Sequence, residues 1–266
     1  MYDALIESFH DTRMRFKNDP QLAQKTRQMK ERSRLYRGGV VSPQRAIKGE
    51  SRCEVVEDTT FRCAQGLLEA GKRVAVLNFA NPHEPGGGVK RGAMAQEECL
   101  CRSSNLFLAL DQYPFERDYY KWHRRNGDDM FSDRLIYSPG VTVIKSDDEI
   151  PVLLDSPFEV DVITCAAPYL RFGQALGDVR ALTDIYRRRI RNILETAMSY
   201  GVDRLVLGAF GCGAFHNDPA LMAGAFYDLL IREGYAARFE RVVFAIKADG
   251  KGRVNYETFA RAFDRQ

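Results

Sequence analysis

The chain predicts an α/β fold: a three-layer α/β/α sandwich on a mixed, mostly parallel sheet, with an N-terminal helical extension. Three observations carry this. Short β-branched and apolar runs recur along residues 53–266, segments with helical periodicity separate them, and two of the runs end in glycine-rich loops. A parallel crossover needs a dozen or more residues, which an intervening helix supplies. The chain has 266 residues, 45% hydrophobic and 28% charged, enough for one sizeable core and too apolar for intrinsic disorder.

Residues 1–52 read as a basic, all-helical extension docked on the core, and residues 53–266 as one domain. Residues 13–52 hold twelve Lys or Arg against three acids, a local +9 in a chain of net charge +3. Residues 21–36 are rich in Lys, Arg, Gln, Met and Leu, all good helix formers, so a helix is predicted there. Its charge reads first as a solvated helical face, with a polyanion-contacting surface as the alternative.

From residue 53 the pattern alternates. Cys53, Glu54, Val55 and Val56 predict a strand, Thr59 or Thr60 caps a helix over 61–70, and Gly71 closes it. A buried strand over 74–79 then completes a β-α-β unit. A helix follows over 95–110, with Cys99, Leu106, Phe107 and Leu110 along one stripe and two glutamates in its first turn. Strands are predicted over 141–144 and 160–165, then a loop containing Pro168 and Gly173. The strongest helix covers 178–200: Leu182, Ile185, Ile190, Ile193, Leu194 and Ala197 share a face, and Gly201 stops it. Its Arg187, Arg188 and Arg189 are expected at the solvated surface. A strand over 204–208, a helix over 218–233, a strand over 241–246 and a short helix over 256–263 close the chain.

Several functions are excluded at this level. No apolar run approaches the roughly 20 residues of a membrane span. The first residues are acidic and lack a basic flank before an apolar stretch, so no secretory signal is expected and the cytoplasm is the expected compartment, or the nucleus in a eukaryote. Cys53, Cys63, Cys99, Cys101, Cys165 and Cys212 form no C-x-x-C pair, and His10, His83, His123 and His216 have no ligand spacing. The cysteines are expected to be reduced and structural, and no metal is expected. Residues 66–72 match G-x-x-x-x-G-K, but Arg73 follows and the context is helix to strand, the reverse of a phosphate loop.

In an open α/β sheet, ligands bind outside the carboxyl ends of the strands. The two glycine-rich loops, 78–88 and 208–215, follow such ends. Glycine lets a backbone approach a ligand closely, so amides can converge on phosphate oxygens, and two such loops suggest a diphosphate. Seven residues after Gly88 stand Gln96, Glu97 and Glu98. Acids in a first helical turn are ordinary dipole partners. Beside a phosphate loop, a carboxylate pair also offers an acid for a leaving oxygen and an acceptor for sugar hydroxyls.

Asn78-Phe79-Ala80, Gly86-Gly87-Gly88, the seven-residue gap and Gln96-Glu97-Glu98 resemble the signature of the microbial-type poly(ADP-ribose) glycohydrolases, a branch of the macrodomain fold. Residues 136–141, 166–168 and 208–215, with Asn217 and Asp218, look like that family too. The resemblance spans roughly residue 53 to the end, and a helical N-terminal extension is expected in that branch. It implies a macrodomain-like catalytic domain over 53–266. The implied reaction cleaves ribose–ribose O-glycosidic bonds of poly(ADP-ribose) to release ADP-ribose, with a glutamate general acid/base and neither metal nor other cofactor.

Carried over by residue, the resemblance makes Glu98 the catalytic acid and Glu97 the partner of the ribose hydroxyls. Gln96 shapes the loop, and Asn78 is a polar contact near the distal ribose. Ala80, Gly86, Gly87 and Gly88 contact substrate; Gly211, Cys212, Gly213 and Ala214 wrap the diphosphate; Phe215 packs on the ligand. Tyr169 stands where the family suggests Asn. Two other functions remain open: a macrodomain reader that binds ADP-ribose without cutting it, and a hydrolase removing single ADP-ribose units from protein or nucleic acid. A reader has no need of two acids beside an anionic ligand. The basic arm contains no recognised nucleic-acid module, so sequence-specific nucleic-acid binding is not expected.

Overall fold

The computed structural model describes residues 2–39, 52–171, 178–250 and 252–264. In chain order they form α1 (Tyr2–Asn18), α2 (Pro20–Arg32), β1 (Arg34–Tyr36), β2 (Arg52–Val56), α3 (Thr60–Gly66), β3 (Val74–Phe79), α4 (Gln96–Ser103), α5 (Leu106–Leu110), α6 (Tyr113–Phe115) and α7 (Lys121–Asn126). There follow β4 (Leu135–Lys145), β5 (Leu153–Cys165), α8 (Val179–Ser199), β6 (Arg204–Leu207), α9 (Pro219–Tyr227), β7 (Arg241–Ala245) and α10 (Gly252–Phe263). All strands join one sheet in the order β1-β4-β5-β3-β6-β7-β2. β5, β3, β6, β7 and β2 run parallel, while β4 runs against both its neighbours.

Side-chain alternation divides the interior into two layers. Ala75 and Leu77 of β3 face a core shared with α8, α9 and α10; Val74 and Val76 face the opposite core, built with α1 to α5. A strand buried on both faces is largely apolar, which is why Val74 to Leu77 reads as an unbroken run, with the buried Asn78 following as a polar exception. The sandwich and the mixed, mostly parallel sheet are as expected.

Several elements depart from expectation for identifiable reasons. β2 and β3 are parallel but not adjacent, because β2 pairs with β7 and β6 lies between β7 and β3. The helix expected over 95–110 breaks after Ser103. There the Asn105 side chain accepts the Thr142 N–H at 2.8 Å, its N–H bonds the Thr142 carbonyl at 3.2 Å, and Ser104 bridges to Val143. The last turn of the 218–233 helix is wound as a π turn over Asp228–Arg232. The extension is not all-helical either: α2 ends at Arg32, and residues 34–36 add an edge strand to β4. Arg45 and Lys48 of the arm and Gly173 of the 165–178 loop lie outside the described residues.

α1 docks through named contacts. Phe9 meets Phe107 edge-on at 5.0 Å, the Thr12 hydroxyl donates to the Arg102 carbonyl at 2.5 Å, and the buried Lys145 ammonium reaches Ser8 O and Asp11 at 2.8 Å each.

The expected solvated arginine run requires correction at one position. Arg187 pairs with Asp228 and Glu233, and Arg188 reaches Asp133, but Arg189 is 2% exposed. Its guanidinium donates to the carbonyls of Ala166, at 2.9 Å, and Met130, and reaches Asp133. Position on the helix explains the difference: Arg189 lies beside Ile190 and Ile193 on the core-facing side. Removing it orphans two acceptors at about 1–3 kcal/mol each, so Arg189→Met should lower unfolding stability by at least about 2 kcal/mol in a urea titration. Arg188→Met should stay within about 0.5 kcal/mol. Equal small losses would return Arg189 to the surface.

Candidate active site

A cavity of about 510 Å³ opens where the five parallel strands end. Thr59 and Thr60 border it beyond β2, Phe79 to Asn81 at β3, Ala167 beyond β5, Gly211 and residues 213–215 beyond β6, and Ile246 and Lys247 beyond β7. The start of α4, with Gln96, Glu97 and Glu98, forms another wall.

The first residues of α4 are tied to the end of β3. Gln96 donates through Nε2 to Leu77 O at 2.7 Å and the Thr60 hydroxyl at 3.1 Å, and its Oε1 accepts the Phe79 N–H at 2.9 Å. This amide therefore fixes the register between helix and strand. Glu97 is 3% exposed, and both its oxygens are engaged: Oε1 accepts from Asn78 Nδ2 at 3.1 Å, and Oε2 from the Asn81 N–H at 2.7 Å. Burial pushes its carboxyl up to about 8; the Glu98 charge adds to the rise, while bonds from Asn81, Asn78 and the Gly86 backbone oppose it.

Glu98 is held differently. Its Oε1 accepts the Gly88 N–H at 2.7 Å, whereas Oε2 is buried without a hydrogen-bond partner. Of the two adjacent carboxyl groups, one has a donor on each oxygen and the other has a donor on one oxygen alone, and both residues border the cavity.

The triple glycine serves these carboxylates. Gly87 adopts φ +55°, and a Cβ there would collide with Glu98 Oε1; one on Gly86 would stand 2.9 Å from the Phe107 ring, and one on Gly88 2.7 Å from Ala93 Cβ. Of the residues expected to contact substrate, Ala80, Gln96, Gly211, Gly213, Ala214 and Phe215 line the cavity. Asn78, Gly86, Gly87, Gly88 and Cys212 do not. Asn78 is fully buried, bonded to Glu97 and to Thr164 Oγ1 at 3.2 Å; it acts behind the cavity because β3 alternation turns it into the core. Cys212 is half-buried against the core, with its thiol near Phe210 O and pushed up by burial.

The second loop is pinned from below. Gly211 has φ +74°, and a Cβ would stand 2.5 Å from Ala167 Cβ and from Asn217 Nδ2. The buried Asn217 donates to Pro168 O at 2.7 Å and Gly211 O at 3.0 Å and accepts from the Tyr186 hydroxyl of α8 at 2.6 Å. Phe215 packs edge-on against Tyr169 at 5.7 Å and against Phe131 at 6.1 Å. Tyr169, the departure from the family pattern, is thus a brace for Phe215.

Three contributions were not legible beforehand. Asp147, from the turn beyond β4, accepts the Thr59 hydroxyl and the Phe61 N–H at 2.7 Å each, so it does the capping expected of Thr59 or Thr60. Phe131 has no local sequence signal. Asn81, whose Oδ1 accepts the His83 and Glu84 amides, had one in the Asn81-Pro82 pair that marks turns. Among the described residues no group of three or more His, Cys, Asp or Glu is arranged to hold a metal.

The raised Glu97 carboxyl gives a signed expectation. Its folded pKa exceeds its unfolded value, 4.5, so the folded chain holds a proton that the unfolded chain releases; the associated stability is intact at low pH and is lost as pH rises from about 4.5 through about 8. Thermal melts across pH 5–8 should show the wild type losing ground to Glu97→Gln as pH rises. Parallel curves would mean that Glu97 ionises as freely folded as unfolded.

A model of the family described as microbial-type PARG, catalytic domain, matches residues 8–146. Among solved structures, poly(ADP-ribose) glycohydrolase (PARG) from Thermomonospora curvata is 36% identical, with alignment over 98% of this chain and 100% of that one and a TM-score of 0.88. The protein from that organism bound to the inhibitor ADP-HPD is 37% identical over 98% and 100% of the two chains, with a TM-score of 0.85. PARG from Deinococcus radiodurans in complex with ADP-ribose is 34% identical over 90% and 97%, with a TM-score of 0.76. No curated protein matches. Sequence and fold agree along nearly the whole length, and the chain belongs to the microbial-type poly(ADP-ribose) glycohydrolase family.

Proposed function

We infer that this chain is a poly(ADP-ribose) glycohydrolase that hydrolyses ribose–ribose O-glycosidic bonds of the polymer and releases ADP-ribose. The observation that carries the reading is Glu98, which borders the cavity beside Glu97 and has one carboxylate oxygen without a hydrogen-bond partner. Similar solved proteins bind ADP-ribose or the inhibitor ADP-HPD, which supports a site of that chemistry here.

Glu98 as a carboxylic acid protonates the leaving ribose oxygen while an oxocarbenium-like ribose forms, and the resulting carboxylate then takes a proton from the attacking water. Gly88 holds its other oxygen, so the reacting one is oriented. Glu97, fixed by Asn78 and Asn81, positions the ribose hydroxyls. The loop 211–215 receives the diphosphate, and Phe215, braced by Tyr169 and Phe131, packs on the ligand. Anchoring the ADP group away from the reacting bond supplies binding energy for positioning.

A reader that only binds is disfavoured, because binding an anionic ligand has no need of two adjacent acids and the similar solved proteins are poly(ADP-ribose) glycohydrolases. ADP-ribosylated protein is the natural carrier of the substrate. Residues 53–266 are read as the catalytic domain and 1–52 as its extension. A cytoplasmic setting is supported by six free cysteines. Among the described residues no helix is long and apolar enough to cross a membrane.

The deciding experiment is turnover of labelled poly(ADP-ribose) with product chromatography. Glu98→Gln preserves shape but cannot exchange the proton, so turnover should fall about 10²–10⁴-fold with ADP-ribose binding retained. Glu97→Gln should lose more affinity than Glu98→Gln. An active Glu98→Gln protein would overturn the mechanism.

The diphosphate loop has its own test. A Cβ at Gly213 meets nothing within 4 Å, so Gly213→Val should fold normally while projecting into the cavity. Calorimetry should show weakened ADP-ribose binding; unchanged affinity would remove this loop from the site.

A further inference from the structure

On the outer side of the catalytic loop stand two cations that make no ion pair among the described residues. Lys90 lies two residues beyond Gly88, in the 3₁₀ turn Val89–Arg91, and its Nζ is 5.1 Å from the Phe107 ring centroid. From α1, the Arg13 guanidinium is 5.6 Å from the same centroid and 5.7 Å from that of Phe9. Both residues are exposed. Neighbouring cations are neutralised in place: Arg91 by Glu84 at 2.8 Å, Arg15 by Asp11 at 2.8 Å, and Arg124 by Glu116.

The platform beneath the two charges is rigid. Phe107 is 1% exposed, packs edge-on against Phe9, and lies directly under Gly86. Two like charges therefore lie 5.6 Å and 5.1 Å from the centre of one fixed ring, near the backbone whose Gly88 N–H holds Glu98. An anion placed between them would relieve their mutual repulsion.

The proposed substrate supplies such an anion. Its scissile bond joins the unit held in the cavity to a second unit carrying its own diphosphate. Glu98 borders the cavity and is bonded to Gly88, so a second unit leaving the cavity past residues 86–88 would meet Lys90 and Arg13 next. We propose that Arg13 and Lys90 form a subsite for the diphosphate of the polymer unit on the leaving side of the scissile bond, so that the N-terminal helix takes part in substrate recognition. This rests on the hydrolase reading above.

The test compares Arg13→Gln/Lys90→Gln with Lys17→Gln/Arg27→Gln, a control of equal net charge whose substituted side chains are also exposed on the extension. At low salt the first variant should raise KM for long poly(ADP-ribose) by about tenfold, as loss of charges at a binding rim does, while kcat and the Kd for free ADP-ribose stay within about twofold. The difference should shrink toward 1 M salt, where screening acts over about 3 Å. The control should match the wild type. An unchanged KM would overturn the proposal, as would an equal KM rise in the control or a parallel loss of free ADP-ribose affinity, which would mean a distorted loop. Filter binding of the polymer to the same variants reads the subsite even if turnover is absent, which separates its failure from failure of the hydrolase reading. Equal competition by a single-stranded DNA oligonucleotide of matched charge would make the patch a general polyanion surface and overturn the assignment.

Discussion

Two neighbouring carboxylates buried at the start of one helix, with no ion pair among the described residues, are the constraint on which the rest of the site depends. An unpaired buried carboxylate is tolerable only if donors replace its water. Here the donors come from backbone amides and one side-chain amide: Gly88 for Glu98, and Asn81 with Asn78 for Glu97. A positive helix end assists, but a dipole is worth only about 0.3–1 kcal/mol at such a position. The loop must therefore come close enough to donate, and that approach excludes any Cβ at Gly87. Glycine repetition, the Gln96 tie to β3 and the inward turn of Asn78 all follow from solvating these two groups.

The opposite wall answers to a different element. Tyr186 and Arg189 lie three residues apart on α8 and so share a face. Tyr186 reaches the loop 211–215 through Asn217, and Arg189 holds Ala166 and Met130, which flank Ala167 and Phe131. One long helix, itself anchored by Ile190, Ile193 and Leu194 in the core, sets the positions of three loops. Stability and site geometry are coupled here: the bonds that hold the loops are also those that satisfy the helix's buried polar groups.

Legibility in the sequence followed the range of the interaction. β3 could be bounded to the residue because the apolar run Val74 to Leu77 between turn signals needs no partner to identify it. α8 was legible from its stripe, with Asp178 capping it and Gly201 ending it. The Gly86-Gly87-Gly88 and Gln96-Glu97-Glu98 pairing was legible as a site because its chemistry is local and rare. What failed was set by distant groups. Arg189 sits in a run of three arginines and is buried only because Ala166 and Met130 meet it there. The break at Asn105 depends on Thr142, the capping of α3 on Asp147, and β1 on an edge that β4 leaves open. Residues 113–126 carry mixed aromatic and charged composition with a π turn, and no single period describes them. Glycines after a strand suggest phosphate contacts, whereas here Gly87 lies against Glu98, Gly88 donates to it, and Gly86 leaves room for Phe107.

The departures from ordinary local rules gather at one end of the sheet. Gly87 and Gly211 take left-handed backbone, and so do two residues with side chains, Phe131 and His216. The buried Glu98 Oε2 lacks a partner in the same region. The left-handed Phe131 and His216 and the unsatisfied buried oxygen each cost stability, of order 1–3 kcal/mol, whereas glycine takes the same backbone without that strain. Neighbours fix several of these positions: Phe131 is held between His83 and Phe215, Gly211 between Ala167 and Asn217, and Glu98 by Gly88. Irregularities occur elsewhere too, in the π turns over Glu116–Tyr120 and Asp228–Arg232 and the shifted β4–β5 register. The capped α2, α8 and α9 and the alternating strands nevertheless form the framework that carries these strained positions. A buried acceptor without a donor is a cost that only a firmly held framework can carry, and Glu98 Oε2 shares that state with Asn78 Oδ1, which lies behind the same cavity wall.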